Sequence, residues 1–421
     1  MQKEIKVDER PPLLQSLPLS LQHLFAMFGS TVLVPVLFKV DPATILLMNG
    51  IGTLLYLFIC KGKIPAFLGS SFAFLSPVFA VLASGQSYQA ALGGFIISGL
   101  IFIAVALIIR SAGTGWLDVV FPPAAMGAIV AVIGLELVPV AAEMAGYIQP
   151  AGATDWAPDT GAVIISSVTL LIMVLGSVVF RGFLKIIPIL VGIVCGYVLA
   201  FLLGYVKFEA VAAADWFALP HFYAPQFSLS AMAIIAPAAL VVIAEHIGHL
   251  IVTGNIVGKN LSKDPGLDRS LMGNGISTVI SGFVGSTPNT TYGENIGVMA
   301  ISRVYSVWVI GGAAIIAIVL SFFGKLAALI TTIPGPVMGG VSLLLFGIIA
   351  ASGVRMLVET KVDYSKASNL ILTCVVLVIG ISGTTVTIGS FSLKGMALAT
   401  VVAIILSLFF KLLDKQGLTN E

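Results

Sequence analysis

The chain has 421 residues, of which 58% are hydrophobic and only 10% charged, and its formal net charge is +2. A soluble domain carries about 25% charged residues, so this composition excludes a soluble globular protein and indicates one that crosses a membrane many times. The small net charge gives no electrostatic reason to expect a nucleic-acid partner. Cys60, Cys195 and Cys374 each stand alone in an apolar run, so no metal site is expected from them.

Fourteen apolar segments can be placed along the chain, because a bilayer core of roughly 30 Å requires about 20 mainly apolar residues per helix. The first seven predicted spans are Leu19–Phe38, Ala43–Cys60, Ile64–Leu82, Ala90–Ile109, Pro122–Ala142, Gly161–Phe180 and Leu184–Val206. The second seven are Leu229–Val252, Leu271–Val284, Thr287–Ile301, Val304–Phe323, Pro334–Met356, Asn369–Ile388 and Leu393–Leu412. The predicted fold is therefore an all-α polytopic membrane protein with 14 transmembrane segments.

Basic residues orient these spans, since short cytoplasmic loops accumulate Lys and Arg. With a cytoplasmic N-terminus, only Lys39, Lys207, Lys325 and Lys394 fall on the outer side, which leaves 17 of the 21 basic residues inside. Both termini are accordingly expected in the cytoplasm.

An internal repeat relates the two halves. Phe121-Pro-Pro-Ala-Ala-Met-Gly127 is echoed by Ile333-Pro-Gly-Pro-Val-Met-Gly339 at the start of the fifth span of each half. Two further matches pair Gln22-His23 with Glu245-His246, and Ser70-Ser71-Phe72-Ala73-Phe74 with Thr290-Thr291-Tyr292-Gly293-Glu294. Because each half has an odd number of spans, the second half enters the membrane inverted relative to the first. Inverted repeats with matching interrupted segments are typical of secondary transporters.

The third and tenth spans are predicted to be broken. In the tenth, Pro288, Gly293 and Gly297 interrupt the apolar pattern, so an extended stretch should precede a half-length helix over Glu294–Ile301. Irregular backbone at membrane depth is tolerated only inside protein or beside a cavity. A binding site is therefore expected where these broken spans meet.

Three ionisable residues are the main candidates for that site, since a charge in a membrane span is costly and usually functional. Glu245 and His249 are four residues apart and share one helix face. Glu294 opens the predicted half-helix, where the helix dipole favours a carboxylate. For the two carboxylates the alternative is a structural ion pair or a helix cap. For His249, a role in substrate or proton handling and a role as buried scaffold both remain open.

Aromatic and uncharged polar residues complete the expected site. Phe72 and Tyr292 occupy the matching broken segments, where a ring can stack on a planar ligand. Asn295 is expected to tie the half-helix to neighbouring backbone, and His23 and His246 are expected to form hydrogen bonds between helices.

The residues from Glu294 to Arg303, Glu-Asn-Ile-Gly-Val-Met-Ala-Ile-Ser-Arg, resemble a known signature. It belongs to the nucleobase:ascorbate transporters, also called nucleobase:cation symporter family 2, and reads Gln or Glu, then Asn-x-Gly-x-x-x-x-Thr and a basic residue. Gln22-His23 is similar to the family's first-span motif, and the resemblance extends over essentially the whole chain. Ser302 replaces the usual Thr and keeps its hydroxyl.

This resemblance implies a secondary active transporter in a bacterial inner membrane that imports uracil with H⁺ as the coupling ion, works as a homodimer and needs no cofactor. It implies that Glu245 and Glu294 bind the pyrimidine, that His249 takes part in proton coupling with Glu245, and that Phe72, Tyr292 and Gly293 line the pocket. Phe346, which stands where uracil-carrying members have Tyr, is placed at the same pocket. The supporting residues are Gln22, His23, Asn295 and Ser71.

The resemblance also implies two domains. A core domain would contain spans one to four (residues 1–110) and eight to eleven (residues 228–323), and a gate domain would contain residues 111–227 and 324–421. Alternating movement of the core against the gate would carry the substrate.

Other functions receive less support from the residues. A symporter of xanthine or another purine remains an alternative, because these bases present similar hydrogen-bonding edges. An intramembrane enzyme is disfavoured, since no Gly-x-Ser-x-Gly, His-Glu-x-x-His or nucleotide-binding loop is present. An anion exchanger or channel is disfavoured, because its site should present a cation where this chain presents Glu245 and Glu294.

Overall fold

The computed structural model describes residues 4–150, 152–388 and 391–419. The two terminal residues, which are predicted to lie in the cytoplasm, are outside the described residues. The first helices are α1 Leu13–Ala26, α2 Phe28–Phe38, α3 Pro42–Ile59, α4 Leu75–Ala83, α5 Tyr88–Ala112, α6 Leu117–Val120, α7 Pro123–Met144, α8 Thr160–Val179, α9 Pro188–Leu202 and α10 Glu209–Ala213. The remaining helices are α11 Leu229–Ile235, α12 Ala238–Val257, α13 Leu267–Val284, α14 Gly293–Ser302, α15 Val307–Ser321, α16 Gly324–Thr331, α17 Gly335–Glu359, α18 Ala367–Ile381 and α19 Gly395–Lys415. The short strands are β1 Leu68–Ser70, β2 Asn289–Thr291, β3 Thr385–Ile388 and β4 Phe391–Lys394, and single irregular turns cover Phe72–Phe74, Gly182–Ile186 and Ser262–Gly266.

Among the described residues, eight helices are long and apolar enough to cross a bilayer, or nine if the bent pair α15 and α16 is counted as one span. Large apolar side chains on these helices remain exposed; examples are Phe58, Val178, Val358 and Ile405. Extensive exposed apolar surface in a folded chain indicates contact with lipid. The chain is thus an all-helical, multi-pass membrane protein, as its composition predicts.

One compact unit contains the described residues of 4–70, 137–222 and 294–347. Its helices approach closely at small residues: a Cβ on Gly50 of α3 would lie 2.6 Å from the Ala314 carbonyl oxygen of α15. The Ser20 hydroxyl of α1 donates to the Val309 carbonyl of α15 at 2.8 Å. Small residues let helices pack backbone to backbone in lipid, where no hydrophobic force holds them together.

The other unit contains the described residues of 71–136, 223–293 and 348–419. Helices α5 and α13 meet here through two glycines. A Cβ on Gly99 would lie 2.9 Å from the Gly275 carbonyl oxygen, and a Cβ on Gly275 would lie 2.9 Å from the Gly99 carbonyl oxygen. A larger residue at either position would force these helices apart.

Both predicted broken spans are confirmed as short extended segments followed by helix. The third runs through β1 and the turn Phe72–Phe74 into α4, and the tenth runs through β2 into α14. A backbone hydrogen bond links the two segments, in which the Ser71 N–H donates to the Pro288 carbonyl at 3.1 Å.

Other predicted boundaries were wrong. The first predicted span, Leu19–Phe38, lies within one apolar span, Leu13–Phe38, which starts six residues earlier and has a break at Met27. The expected thirteenth span Asn369–Ile388 ends as a helix at Ile381, because Gly383 adopts a φ of +72° and terminates it. The β-branched run that follows forms β3, which pairs antiparallel with β4. Helix α19 therefore begins at Gly395 rather than at the predicted Leu393.

Candidate functional site

Helix α12 carries the first two candidate residues on one face. The His249 Nε2 lies 4.0 Å from the Glu245 Oε1, and the two side chains are only 12% and 17% exposed. This distance exceeds a hydrogen bond but is short enough for a strong charge interaction once the imidazole is protonated. The predicted pair of titratable groups is therefore present within one helix turn.

The protonation pattern of His249 follows from its partner in β2. The His249 Nδ1 lies 2.9 Å from the Thr291 carbonyl oxygen. A carbonyl can only accept, so Nδ1 carries a hydrogen, and the neutral ring exposes the lone pair of Nε2 on the side of Glu245. Thr291 thereby sets the orientation and tautomer of His249, although the sequence did not single it out for this role.

His246 has a different environment from its neighbour on α12. Its Nδ1 accepts from the Asn274 amide at 3.0 Å, and its Nε2 lies 2.8 Å from the Ser270 hydroxyl. The Thr291 hydroxyl is a further partner at 3.1 Å from Nδ1. Both ring nitrogens are satisfied by neutral groups, so His246 connects α12, α13 and β2 as scaffold. Ser270 and Asn274 were missed from the sequence, although their four-residue spacing on α13 could have indicated a polar face.

The two aromatic candidates contact each other. The Phe72 and Tyr292 ring centroids are 6.3 Å apart with planes inclined by 40°, which is within the range of a tilted aromatic pair. Gly293 follows Tyr292, and a Cβ there would lie 3.2 Å from the His249 Nε2. A glycine at this position keeps space open beside the acceptor nitrogen of the imidazole.

The remaining candidates belong to the other unit, which contains α14 from Glu294 onward. The Glu294 Oε1 is buried and has no hydrogen-bond partner among the described residues. The Asn295 amide donates to the His23 Nδ1 at 2.8 Å, and its oxygen accepts from the Phe67 N–H at 3.4 Å. Asn295 thus anchors α14 to α1 and to the chain before β1.

This anchoring determines the His23 tautomer. Since Nδ1 accepts, the hydrogen of the neutral ring is on Nε2, which is buried and finds no acceptor within the described chain. Gln22 and Phe346 are also buried in this unit, Phe346 being 1% exposed. The structure therefore places Glu245, His249, Ser71, Phe72, Tyr292 and Gly293 in one unit, and Gln22, His23, Glu294, Asn295 and Phe346 in the other.

Comparisons with known proteins assign the family. Residues 14–389 match the model Xan_ur_permease, described as "Permease family". The chain is 68% identical over 417 residues to a uracil permease of Paenibacillus larvae, with 99% of each chain covered. It is 68% identical over 412 residues to the uracil permease of Escherichia coli K12, covering 98% of this chain and 95% of that one. Identity to the Bacillus subtilis uracil permease is 48% over 411 residues, covering 96% and 94%.

Solved structures of low sequence identity share the fold. SLC26A9 matches with a TM-score of 0.70 at 9% identity, over 95% of this chain and 66% of that one. The transmembrane domain of a cyanobacterial bicarbonate transporter, BicA, matches with a TM-score of 0.58 at 16% identity, over 96% of this chain and 98% of that one. The family match and the full-length relatives confirm the resemblance in the sequence: this chain belongs to the permease family of nucleobase:cation symporter family 2 and is a transporter rather than an enzyme.

Proposed function

We propose that this chain is a secondary active transporter that imports uracil across a bacterial inner membrane together with a proton. The observation that carries the proposal is its 68% identity, over 417 and 412 residues, to two uracil permeases. Glu245 and Glu294 bind the base in this proposal, with Phe72, Tyr292, Gly293 and Phe346 lining the pocket. His249 and Glu245 handle the coupled proton.

The chemistry of uracil fits these groups. The ring presents two N–H donors and two carbonyl acceptors, so carboxylates can accept from it and backbone N–H groups at the start of α14 can donate to it. The Glu294 Oε1 is a buried acceptor with no partner among the described residues, and a uracil N–H would satisfy it. A site built to bond N–H groups rejects analogues that lack them, because its own polar groups would remain unpaired.

Purified protein in proteoliposomes tests this function. Radiolabelled uracil should accumulate when an inward proton gradient is imposed, and should only equilibrate without one. Protein-free liposomes are the control. Excess unlabelled uracil should suppress the signal, whereas stronger suppression by xanthine at equal concentration would favour a purine symporter instead.

Fourteen spans in two inverted repeats are part of the proposal, and symmetric packing supports them. Span two of the first repeat packs on span four of the second repeat through Gly50 and Ala314. In the symmetric arrangement, span four of the first repeat packs on span two of the second repeat through Gly99 and Gly275. The last glycines of the two Pro-containing repeat motifs, Gly127 and Gly339, also both lie against the backbone of a neighbouring helix. A Cβ on Gly127 would lie 2.9 Å from the Gly353 carbonyl oxygen, and one on Gly339 would lie 2.6 Å from the Ala145 Cα.

Transport by this fold requires two moving parts. We assign residues 1–110 and 228–323 to the core domain and residues 111–227 and 324–421 to the gate domain. Alternating exposure of the site arises as the loaded core moves against the gate, and two such chains form the working homodimer.

Cysteine labelling tests the proposed orientation, with both termini cytoplasmic. In a variant lacking Cys60, Cys195 and Cys374, cysteines introduced at the exposed positions Asp155 and Asp215 should react with an impermeant thiol reagent in intact cells. A cysteine at Ser262, on the predicted cytoplasmic side, is the matched control and should react only after the cells are opened. Protection of both outer positions in intact cells would contradict the orientation.

Phe346→Tyr tests the effect of having Phe346 where uracil-carrying members of the family have Tyr. Phe346 is buried on α17, so the added hydroxyl must find an acceptor there or cost about 1–3 kcal/mol. We expect the variant to keep its transport activity and to bind uracil at least as tightly, as measured by calorimetric titration. Loss of transport at normal expression would instead show that this pocket is packed around phenylalanine.

A further inference from the structure

A short segment before the first helix docks on the chain that follows α14. It comprises residues 5–10, which we call the N-terminal strap, and it lies parallel to the chain after α14. The Ile5 N–H donates to the Arg303 carbonyl at 3.0 Å, and the Ile5 carbonyl accepts from the Tyr305 N–H at 2.9 Å. The backbone of Ile5 is therefore bonded on both sides to the residues that connect α14 to α15.

Two further hydrogen bonds continue this contact along the strap. The Val307 N–H donates to the Val7 carbonyl at 2.9 Å. The Ser306 hydroxyl donates to the Glu9 carbonyl at 2.6 Å. Since these bonds follow one another along both segments, the strap is attached over its length rather than at a single residue.

The strap side chains alternate between buried and exposed, as they do in a β-strand. Ile5 and Val7 are 6% and 3% exposed, whereas Lys6 and Asp8 face solvent. Ile5 shares a small buried apolar cluster with Val309 of α15. Burial of the two apolar side chains adds to the backbone hydrogen bonds in holding the strap in place.

The docking position is the end of the half-helix that carries Glu294. Helix α14 ends at Ser302, and Arg303 follows it with a φ of +55°. A residue in this left-handed conformation terminates a helix, and it is uncommon for a side chain other than glycine. The surrounding structure must maintain such a conformation, and the hydrogen bond from Ile5 to the Arg303 carbonyl contributes to this.

Helix α14 has only 10 residues, so about 15 Å separates its two ends. A helix of this length is marginal by itself and depends on contacts with its surroundings. At its start, Asn295 bonds to His23 and to the Phe67 N–H. At its other end, the strap bonds to Arg303. Release of that end would let the helix tilt or fray, and the Glu294 carboxylate would move with it.

We propose that the N-terminal strap is a positioning element of the uracil site, because it fixes the end of α14 and thereby places the Glu294 carboxylate. Its effect on affinity rests on the proposed function, in which Glu294 binds uracil. Strap residues act through α14 and do not contact the base. The strap and α14 both belong to the proposed core domain, so the strap can hold α14 while that domain moves.

Equilibrium binding of radiolabelled uracil to purified full-length protein tests this role. The double substitution Ile5→Ser and Val7→Ser removes the apolar anchors of the strap and should weaken uracil binding by about fivefold or more, the lower end of typical coupling between sites. Lys6→Ser with Asp8→Ser places the same side chains at exposed positions of the strap and should bind uracil like the parent. Ile5→Val with Val7→Ile keeps the anchors apolar and should also bind like the parent.

A double-mutant cycle separates positioning of Glu294 from a general loss of stability. In a Glu294→Gln protein, the two serine substitutions in the strap should have little further effect on uracil affinity, because the carboxylate that the strap places is already gone. In a Glu245→Gln protein they should still weaken binding by about fivefold. Equal losses in the two backgrounds would overturn the proposed action through Glu294.

Amide hydrogen exchange in uracil-free protein provides a readout that does not depend on the substrate. With the two serine substitutions, the amides of residues 294–302 should exchange about fivefold faster, because a helix released at one end opens more often, whereas those of α13 should exchange as in the parent. Faster exchange in α14 of a protein that does not bind uracil would support the strap and contradict the proposed substrate. Unchanged exchange in α14 would overturn the role of the strap, whatever the uracil affinity.

Discussion

Glu245→Gln and Glu294→Gln should each weaken uracil binding by about 10- to 150-fold, which corresponds to the ~1.5–3 kcal/mol of a hydrogen bond to a charged group. An amide has the shape of the carboxylate, but it loses the negative charge and replaces one acceptor with a donor. At Glu294 the effect should be large, since its Oε1 is buried without a partner among the described residues. The donor introduced by Gln would face a uracil N–H.

Equilibrium binding of radiolabelled uracil to purified protein measures this effect. Glu209→Gln, an exposed carboxylate on the short helix α10, is the matched control and should bind uracil like the parent. Thermal unfolding should confirm that each variant is folded. Near-normal affinity in a folded Glu245 or Glu294 variant would remove that residue from the substrate site.

His249→Ala should abolish accumulation of uracil driven by a proton gradient while preserving exchange of uracil without a gradient. The imidazole is held by the Thr291 carbonyl through Nδ1 and presents Nε2 on the side of Glu245. A proton arriving from outside would be shared by this pair, and it would help to assemble the hydrogen-bonding pattern that uracil requires. Binding of proton and uracil must then favour each other equally, as linkage demands.

The variant removes the titrating ring, so proton binding can no longer promote uracil binding. Losing the bond to Thr291 should cost ~0.5–1.5 kcal/mol, and exchange should therefore fall by no more than about tenfold. His249→Asn separates the two effects, because its amide can still donate to Thr291 but does not titrate. It should exchange uracil better than His249→Ala and still fail to accumulate it.

Both activities are measured in the same proteoliposomes, with labelled uracil outside and either a proton gradient or unlabelled uracil inside. If His249→Ala accumulates uracil as well as the parent does, His249 has only a structural role. The coupled proton would then reside on a carboxylate alone.

Local sequence patterns were sufficient for the class of protein and for the broken segments. Composition and long apolar runs predict a multi-pass helical membrane protein, because every span must bury its backbone polar groups within its own helix. Pro288 and Gly293 predict the interrupted tenth span, since proline cannot donate a backbone hydrogen bond and glycine is weak in helices. The four-residue spacing of Glu245 and His249 predicts their proximity on α12, because that spacing is one helical turn.

Only the tertiary structure decided the hydrogen-bond partners of the two histidines of α12. His246 and His249 are equivalent in a hydropathy profile, yet one is satisfied by Ser270 and Asn274 and the other is oriented by the Thr291 carbonyl. These partners are distant in the chain, and a carbonyl group is present at every residue, so no sequence pattern distinguishes the one that His249 contacts. The strands after α18 were missed for a related reason: an apolar, β-branched run is compatible with either helix or strand, and its antiparallel pairing with β4 decides between them.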